Sequence, residues 1–192
     1  MKARWMNTKG RKKIIKSIFL GIGAAAILTV ATCTCWWYGI FLPHWIQWKT
    51  ADATFGDVSV ALEQRSLSVK NMDTGEVVWE TQGDWFVQDM ILKDLDRDGE
   101  EEMILLVWKH GSYGEHMPFW EKKNDVALKQ HIFIYKYDEK RDTKVKPIWM
   151  SSQINYEIES LASGDKSFLN VKDRTGNTRA WVWRDFGLKL VN

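Results

Sequence analysis

The sequence predicts a single transmembrane α-helix near the N-terminus, followed by an all-β domain of antiparallel, four-stranded, blade-like sheets. Three observations lead to this prediction. The stretch from Ser17 to Trp48 contains no Asp, Glu, Lys or Arg. Apolar residues alternate with polar ones along much of the chain that follows, and turns containing Gly and Asp separate these runs. The 192 residues suffice for one domain with an appendage.

Charge is distributed unevenly along the chain. The 27 basic and 25 acidic residues nearly balance, which argues against a strongly basic nucleic-acid binder and against an acidic disordered chain. Seven basic residues precede Ser17 without any acidic residue, so the rest of the chain carries a net charge of −5. They are Lys2, Arg4, Lys9, Arg11, Lys12, Lys13 and Lys16. Because such clusters stay inside, residues 1–16 are expected to be a cytoplasmic tail, and the C-terminal domain to be extracytoplasmic.

The apolar segment is long enough to cross a membrane. A helix from Ile18 to Leu42 would be ~37 Å long, against a hydrocarbon core of ~30 Å. We therefore predict a transmembrane helix over residues 17–42, before Pro43, and a juxtamembrane linker over residues 43–54. Two alternatives are a cleaved signal peptide, whose apolar region usually has only ~7–15 residues, and a lipoprotein signal acylated at Cys33.

Residues 55–192 are predicted to form an extracytoplasmic β-domain of about 10–11 strands. Val58, Val60 and Leu62 alternate with small polar or small apolar residues, as is typical of a half-buried strand. A repeat of about 70 residues places Trp79 and Trp149 in matching positions, whereas a competing register aligns residues 67–79 with residues 169–181. Both registers give antiparallel hairpins and therefore predict the same architecture.

An acidic stretch between two apolar runs has the spacing of a cation-binding loop. Carboxylates alternate along it before Gly99, so their oxygens could converge on one hard cation such as Ca²⁺. The proposed ligands are Asp94, Asp96, Asp98, the main-chain carbonyl of Glu100, and Glu102. An EF-hand is excluded, because its twelfth position is Leu105 and because strand-like runs flank the loop. The alternative interpretation is a solvated acidic turn without an ion.

The pattern Asp-x-Asp-x-Asp-Gly-x-x-Glu between two strands resembles the cation loop of FG-GAP/VCBS-type β-propeller repeats. The close match covers about residues 92–107. The resemblance implies a structural Ca²⁺ that staples the first hairpin of a blade. A closed propeller needs ~4–8 blades, and this chain can build fewer. Either its sheets pack on each other as a sandwich-like stack, or several chains complete a ring.

A long insert over residues 109–130 is predicted to be a binding loop, because loops on a rigid β-scaffold often carry recognition. Its candidate binding residues are His110, Tyr113, His116, Phe119 and Trp120. Their aromatic rings could stack on sugars or fill a groove in a partner. The alternative is that Phe119 and Trp120 cover the end of a sheet. The spacing of the two histidines matches no established zinc motif.

These features predict a non-enzymatic binding or accessory module, anchored in the cell membrane by one helix, with a structural Ca²⁺. The expected partners are the membrane and a protein or a second copy of the chain, with an envelope glycan as a further possibility; nucleic acid is not expected. No nucleophile–His–acid set and no HExxH motif occurs in the sequence. The alternative is an envelope hydrolase that acts on glycan or peptide and uses the acidic residues near 94–102 for catalysis.

Overall fold

The computed structural model describes residues 8–114, 116–165 and 168–191. Within these ranges one helix precedes twelve strands, which form three antiparallel four-stranded sheets and no closed barrel. The predicted fold class is therefore confirmed, with twelve strands instead of 10–11. Helix α1 spans Thr8–Trp37. Sheet 1 contains β1 (Ala51–Phe55), β2 (Val58–Glu63), β3 (Ser66–Asn71) and β4 (Val77–Glu80). Sheet 2 contains β5 (Phe86–Lys93), β6 (Glu102–His110), β7 (Leu128–Tyr137) and β8 (Val145–Met150). Sheet 3 contains β9 (Ile158–Ser163), β10 (Phe168–Asp173), β11 (Thr178–Arg184) and β12 (Gly187–Leu190).

Helix α1 differs from the predicted bounds of 17–42 at both ends. It begins at Thr8, because Lys and Arg favour helix and let it continue into the basic tail. It ends at Trp37, since Gly39 adopts a φ of 65° and terminates the helical hydrogen bonding. Its segment Ile15–Trp37 is long and apolar enough to cross a membrane, a property that membrane anchors and signal sequences share.

The predicted linker over residues 43–54 is wrong in extent, because most of it belongs to the β-domain. The chain divides into two compact units, residues 1–41 and 42–192. Leu42 and Ile46 are buried against Phe86 and Trp108 of sheet 2. The Arg65 guanidinium lies 4.3 Å from the ring centroid of Trp48. Strand β1 then begins at Ala51, inside the predicted linker.

Sheet 2 is the central layer, and both of its faces are buried. Met103, Leu105 and Val107 on β6 pack into a core shared with sheet 1. Ile104 and Leu106 on the same strand pack into a second core shared with sheet 3. All five side chains are fully buried, which explains why this stretch is continuously apolar instead of alternating. Of the two predicted arrangements, the structure has the stack of sheets within one chain.

The outer faces of the stack are built mostly from small and polar residues, with Phe168 and Val182 as larger apolar exceptions on sheet 3. Ser59, Ala61 and Ser68 face outward on sheet 1, and Asn170 and Lys172 face outward on sheet 3. Such faces bury little apolar area, so they end the stack without a fourth sheet. Trp79 and Trp149 both lie on the fourth strands of their sheets, as the repeat predicts, but the period is uneven: β5 begins 35 residues after β1 (86 − 51), and β9 begins 72 residues after β5 (158 − 86). The competing register aligns β3 with β10, the third strand of one sheet with the second of another.

A β-bulge in β5 places polar side chains in the interface between sheets 2 and 3. The register shifts between Val87 and Asp89, so Gln88 and Asp89 are both buried. Gln88 Nε2 and Gln130 Nε2 donate to the carbonyl oxygen of Ile158, at 3.3 and 2.8 Å. The Ile158 N–H donates in turn to Gln130 Oε1 at 2.7 Å. Side chains of sheet 2 thereby satisfy the backbone of β9, an edge strand of sheet 3.

Asp89 extends this network to the segment that follows the helix. Its Oδ2 accepts the N–H of Leu161 at 2.8 Å and Lys49 Nζ at 2.6 Å, and its Oδ1 accepts the N–H of Met90 at 2.9 Å. The Lys49 N–H donates to the carbonyl oxygen of Gln88 at 3.0 Å. One buried carboxylate therefore connects β5, β9 and the juxtamembrane segment.

We expect Asp89→Ala to lower the free energy of unfolding by about 3 kcal/mol, because it leaves the Lys49 ammonium and the Leu161 N–H without their acceptor. Urea unfolding of the full chain in detergent, followed by circular dichroism, measures this. Glu157→Ala is the matched control, since it breaks an exposed pair with Arg174 and should leave stability nearly unchanged. Equal effects of the two substitutions would contradict the role assigned to Asp89.

Candidate metal centre and recognition loop

The acidic loop, residues 94–101, connects β5 to β6 and is organised by its own carboxylates. Asp94 Oδ1 accepts the N–H of Arg97 at 2.6 Å, and its Oδ2 accepts the N–H of Gly99 at 3.1 Å. Arg97 and Gly99 have positive φ angles of 66° and 93°, which fold the loop tightly. Glycine adopts such a positive φ readily, which explains the glycine at position 99 of the sequence pattern.

The later carboxylates of the loop repeat this pattern. Asp96 Oδ1 accepts the N–H of Asp98 at 3.2 Å, and Asp98 Oδ1 accepts the N–H of Glu100 at 2.9 Å. Asp96 and Asp98 thus each use one oxygen for the loop backbone, whereas both oxygens of Asp94 accept from it. The Glu100 side chain is exposed.

Glu102, the first residue of β6, is the buried member of the group. Its Oε2 accepts the N–H of Leu95 at 2.7 Å, whereas its Oε1 is buried without a hydrogen-bond partner. Burial raises the pKa of Glu102, against the lowering effect of the hydrogen bond from Leu95. Carboxylate oxygens of Asp94, Asp96 and Glu102 lie within 4.8 Å of one another. The structure therefore brings together three of the predicted ligands; this set does not include Asp98 or the side chain of Glu100.

Lys136 on β7 brings a positive charge into contact with these carboxylates. Its Nζ lies 2.9 Å from Asp96 Oδ2 and 3.2 Å from Glu102 Oε1, and it forms a hydrogen bond with Asp98 Oδ2. Burial disfavours the ammonium, but the hydrogen bonds to Asp98 and Asp96 outweigh this and raise the pKa of Lys136 above its ordinary value. The same contact lowers the pKa of Asp98. Lys136 is not among the site residues predicted from the sequence. A prediction of the β6–β7 register, in which Lys136 pairs with Glu102, would have identified it.

The donor set fits a hard divalent cation. Every converging group is a carboxylate oxygen, the ligand type that Ca²⁺ prefers. The carboxylates of Asp94, Asp96 and Glu102 would hold the ion, which would supply charge neutralisation and a rigid cross-link at this end of the hairpin. The ammonium of Lys136 also neutralises this cluster.

The recognition loop, residues 111–127, connects β6 to β7, and buried contacts fix its base. The Lys109 ammonium, which is largely buried, donates to the carbonyl oxygens of His110, Tyr113 and Gly114 at 2.9, 3.0 and 3.2 Å. Burial lowers the pKa of Lys109. Gly111 has a φ of 92°, and a Cβ there would lie 2.5 Å from Asn124 Nδ2, so only glycine fits this crossing.

Two histidines complete the base of the loop. His110 Nδ1 lies 2.8 Å from the carbonyl oxygen of Val126 and thus joins the two ends of the loop. His131, fully buried on β7, places Nε2 3.1 Å from the carbonyl oxygen of Gly111 and Nδ1 3.1 Å from that of Ser151. His110, predicted as a binding residue, therefore has a structural contact. His131 was not predicted, since nothing in the sequence separates it from other strand residues.

The tip of the recognition loop exposes two aromatic rings that contact each other edge to face. Phe119 is 94% exposed and Trp120 is 67% exposed, and their ring centroids are 4.8 Å apart in an edge-to-face arrangement. The alternative that these rings cover the end of a sheet is therefore wrong. Tyr113 and His116 line a groove of about 420 Å³ against Trp149 and other residues around β8.

No model of a known protein family matches this chain, and no curated protein matches it either. What the chain does is therefore inferred from the geometry of its own residues.

We expect stability to fall as the pH drops below the ordinary histidine value of 6.5, because burial lowers the pKa of His131 in the folded state. As the pH falls below 6.5, His131 becomes protonated in the unfolded chain but stays neutral in the folded protein. The unfolded state is thereby favoured, and the stability present above pH 6.5 is lost as the pH falls toward the lowered pKa. His131→Gln should flatten this dependence between pH 7.5 and 5.5 in urea unfolding. His116→Gln, on the exposed part of the loop, should retain it; identical slopes for all three proteins would contradict the assignment.

Proposed function

We propose that this chain is a non-enzymatic binding or accessory module, anchored in the cell membrane by helix α1, with the recognition loop as its binding element and Ca²⁺ as a structural ion. The single observation that carries the proposal is the pair of exposed aromatic rings, in edge-to-face contact, on a loop with a fixed base. Exposing Phe119 and Trp120 to water is unfavourable, so such rings mark contact sites. The rigid base lowers the entropic cost of ordering them on binding.

The anchor and its orientation follow from charge and length. The segment Ile15–Trp37 is of spanning length, and basic residues before Ser17 favour a cytoplasmic N-terminus. The β-domain would then lie outside the cell membrane. A cleaved signal peptide is disfavoured by the juxtamembrane segment, since Leu42 and Ile46 follow the helix directly and are part of the domain core.

The ligand is a partner protein or an envelope glycan. Both would use the exposed rings: a protein by accepting them in a pocket, a glycan by stacking its sugars on them. The groove formed by Tyr113, His116 and Trp149 adds polar and aromatic contacts beside the tip. A second copy of the chain is a weaker candidate partner. Two copies would pack through the outer faces of their sheets, and most side chains on these faces are small or polar.

The hydrolase alternative has less support. The pKa of Glu102 is raised, as the pKa of a general acid often is. However, Glu102 is fully buried, and its carboxylate forms an ion pair with Lys136. The aspartates of the acidic loop accept hydrogen bonds from the loop backbone, as structural carboxylates do. The acidic loop is therefore better suited to holding a hairpin than to cleaving a polymer.

We expect Phe119→Ser with Trp120→Ser to reduce partner capture at least about tenfold, since two aromatic anchors carry the contact. Intact cells expressing the tagged full chain are treated with a membrane-impermeant crosslinker, and the products are compared for wild type and variant. A parallel measurement scores retention of the purified protein on envelope glycan.

The matched control is Met72→Ser, which removes an exposed apolar side chain from the β3–β4 turn and should leave capture unchanged. Melting temperatures of all proteins should agree, because the substituted side chains are exposed. Undiminished capture and glycan retention by the loop variant would contradict the binding role. Crosslinking only after lysis would contradict the extracytoplasmic location.

A further inference from the structure

Glu102 Oε1 is a buried carboxylate oxygen whose bonding is incomplete. Lys136 Nζ lies 3.2 Å away, but outside hydrogen-bonding geometry, because the ammonium is directed toward the aspartates. A carboxylate oxygen of Glu102 lies within 4.8 Å of carboxylate oxygens of Asp94 and Asp96. A buried charged oxygen without a hydrogen bond is costly, so this position favours a ligand with more positive charge than one shared ammonium provides.

The position of Lys136 allows its side chain to leave this space. Its backbone is fixed opposite Glu102 by the β6–β7 register, in a strand paired on both sides. Its side chain is 20% exposed, so the flexible four-carbon stem reaches solvent by a rotamer change alone. An ammonium and a divalent cation cannot share these carboxylates, because charges a few ångströms apart repel strongly in a partly buried site.

We propose that Lys136 is an internal counter-ion that competes with a divalent cation, Ca²⁺, for the acidic loop. This inference rests on the structural ion of the proposed function and extends it. Without the cation, Lys136 bridges Asp96, Asp98 and Glu102 and holds β7 to the β5–β6 hairpin. With the cation bound to Asp94, Asp96 and Glu102, the Lys136 side chain turns to solvent.

Two consequences distinguish this arrangement from a simple cation loop. The cation must displace an ammonium, so its affinity is lower than the ligand set alone would give. Such a site fills only where Ca²⁺ is abundant, as it is outside cells. The hairpin also remains held when the cation is removed, so chelation changes the stability of the wild-type protein less than that of a protein without the ammonium.

The test compares Ca²⁺ binding to the full chain in detergent for wild type, Lys136→Met and Lys172→Met. Lys172 pairs with Glu159 on sheet 3 and serves as the matched lysine control. Calorimetric titration should show at least about tenfold tighter Ca²⁺ binding for Lys136→Met, and a larger rise of its melting temperature with Ca²⁺. Lys172→Met should behave as wild type. Equal affinities for wild type and Lys136→Met would overturn the competition while leaving the ion site intact.

A second measurement on the wild type covers the case in which Lys136→Met does not fold. Lysine acylation followed by mass spectrometry should modify Lys136 several-fold faster in Ca²⁺ than in chelator, with Lys172 unchanged. An unchanged rate at Lys136 would overturn the inference. If neither the wild type nor the two variants bind Ca²⁺, both the Ca²⁺ site and the competition with Lys136 are refuted. Partner capture by the recognition loop is measured separately, so this outcome does not affect it.

Discussion

The burial of sheet 2 on both faces is the constraint on which the rest of the β-domain depends. Leaving a buried polar group unsatisfied in a sheet covered on both sides is costly, and the bulge in β5 buries Gln88 and Asp89. Gln88 Oε1 accepts from Trp108 and Gln130 within sheet 2, whereas Gln88 Nε2 donates to β9 and Asp89 Oδ2 accepts from β9 and Lys49. The hydrophobic cores hold the three sheets together, and this polar network fixes how sheet 3 and the juxtamembrane segment are positioned on sheet 2.

This arrangement separates the two loops that the proposed function uses, along one strand. Strand β6 begins at Glu102, in the acidic loop, and ends at His110, where the recognition loop starts. Phe86, Trp108 and Leu128, which lie at the His110 end, contact the juxtamembrane segment. The recognition loop therefore starts near the segment that follows the helix, whereas the acidic loop lies at the opposite end of β6. The two regions can be altered independently, since substitutions at separate sites usually act additively.

The sequence predicted the features that depend on local pattern and missed those that depend on long-range pairing. The apolar helix, the hairpins and the convergence of Asp94, Asp96 and Glu102 follow from spacing within short stretches. Strand β1 was missed because Ala51 and Ala53 are too small to produce a clear apolar alternation. The sequence predicts a linker from residue 43 and places Leu42 at the end of the transmembrane helix, because the aromatic residues up to Trp48 suit a membrane interface as well as a protein core. Lys136 and Asp89 acquire their roles only through partners on other strands.

Native-state hydrogen exchange of the full chain tests most directly whether this network makes the β-domain one unit. The amides to follow are those of Ile158 and Leu161, which donate to Gln130 and Asp89, and that of Lys49, which donates to Gln88. Their opening free energies should equal those of the β6 amides within about 1 kcal/mol, because the network should open only on global unfolding. Opening of β9 at a free energy several kcal/mol lower would show that sheet 3 detaches by itself, which would contradict the account.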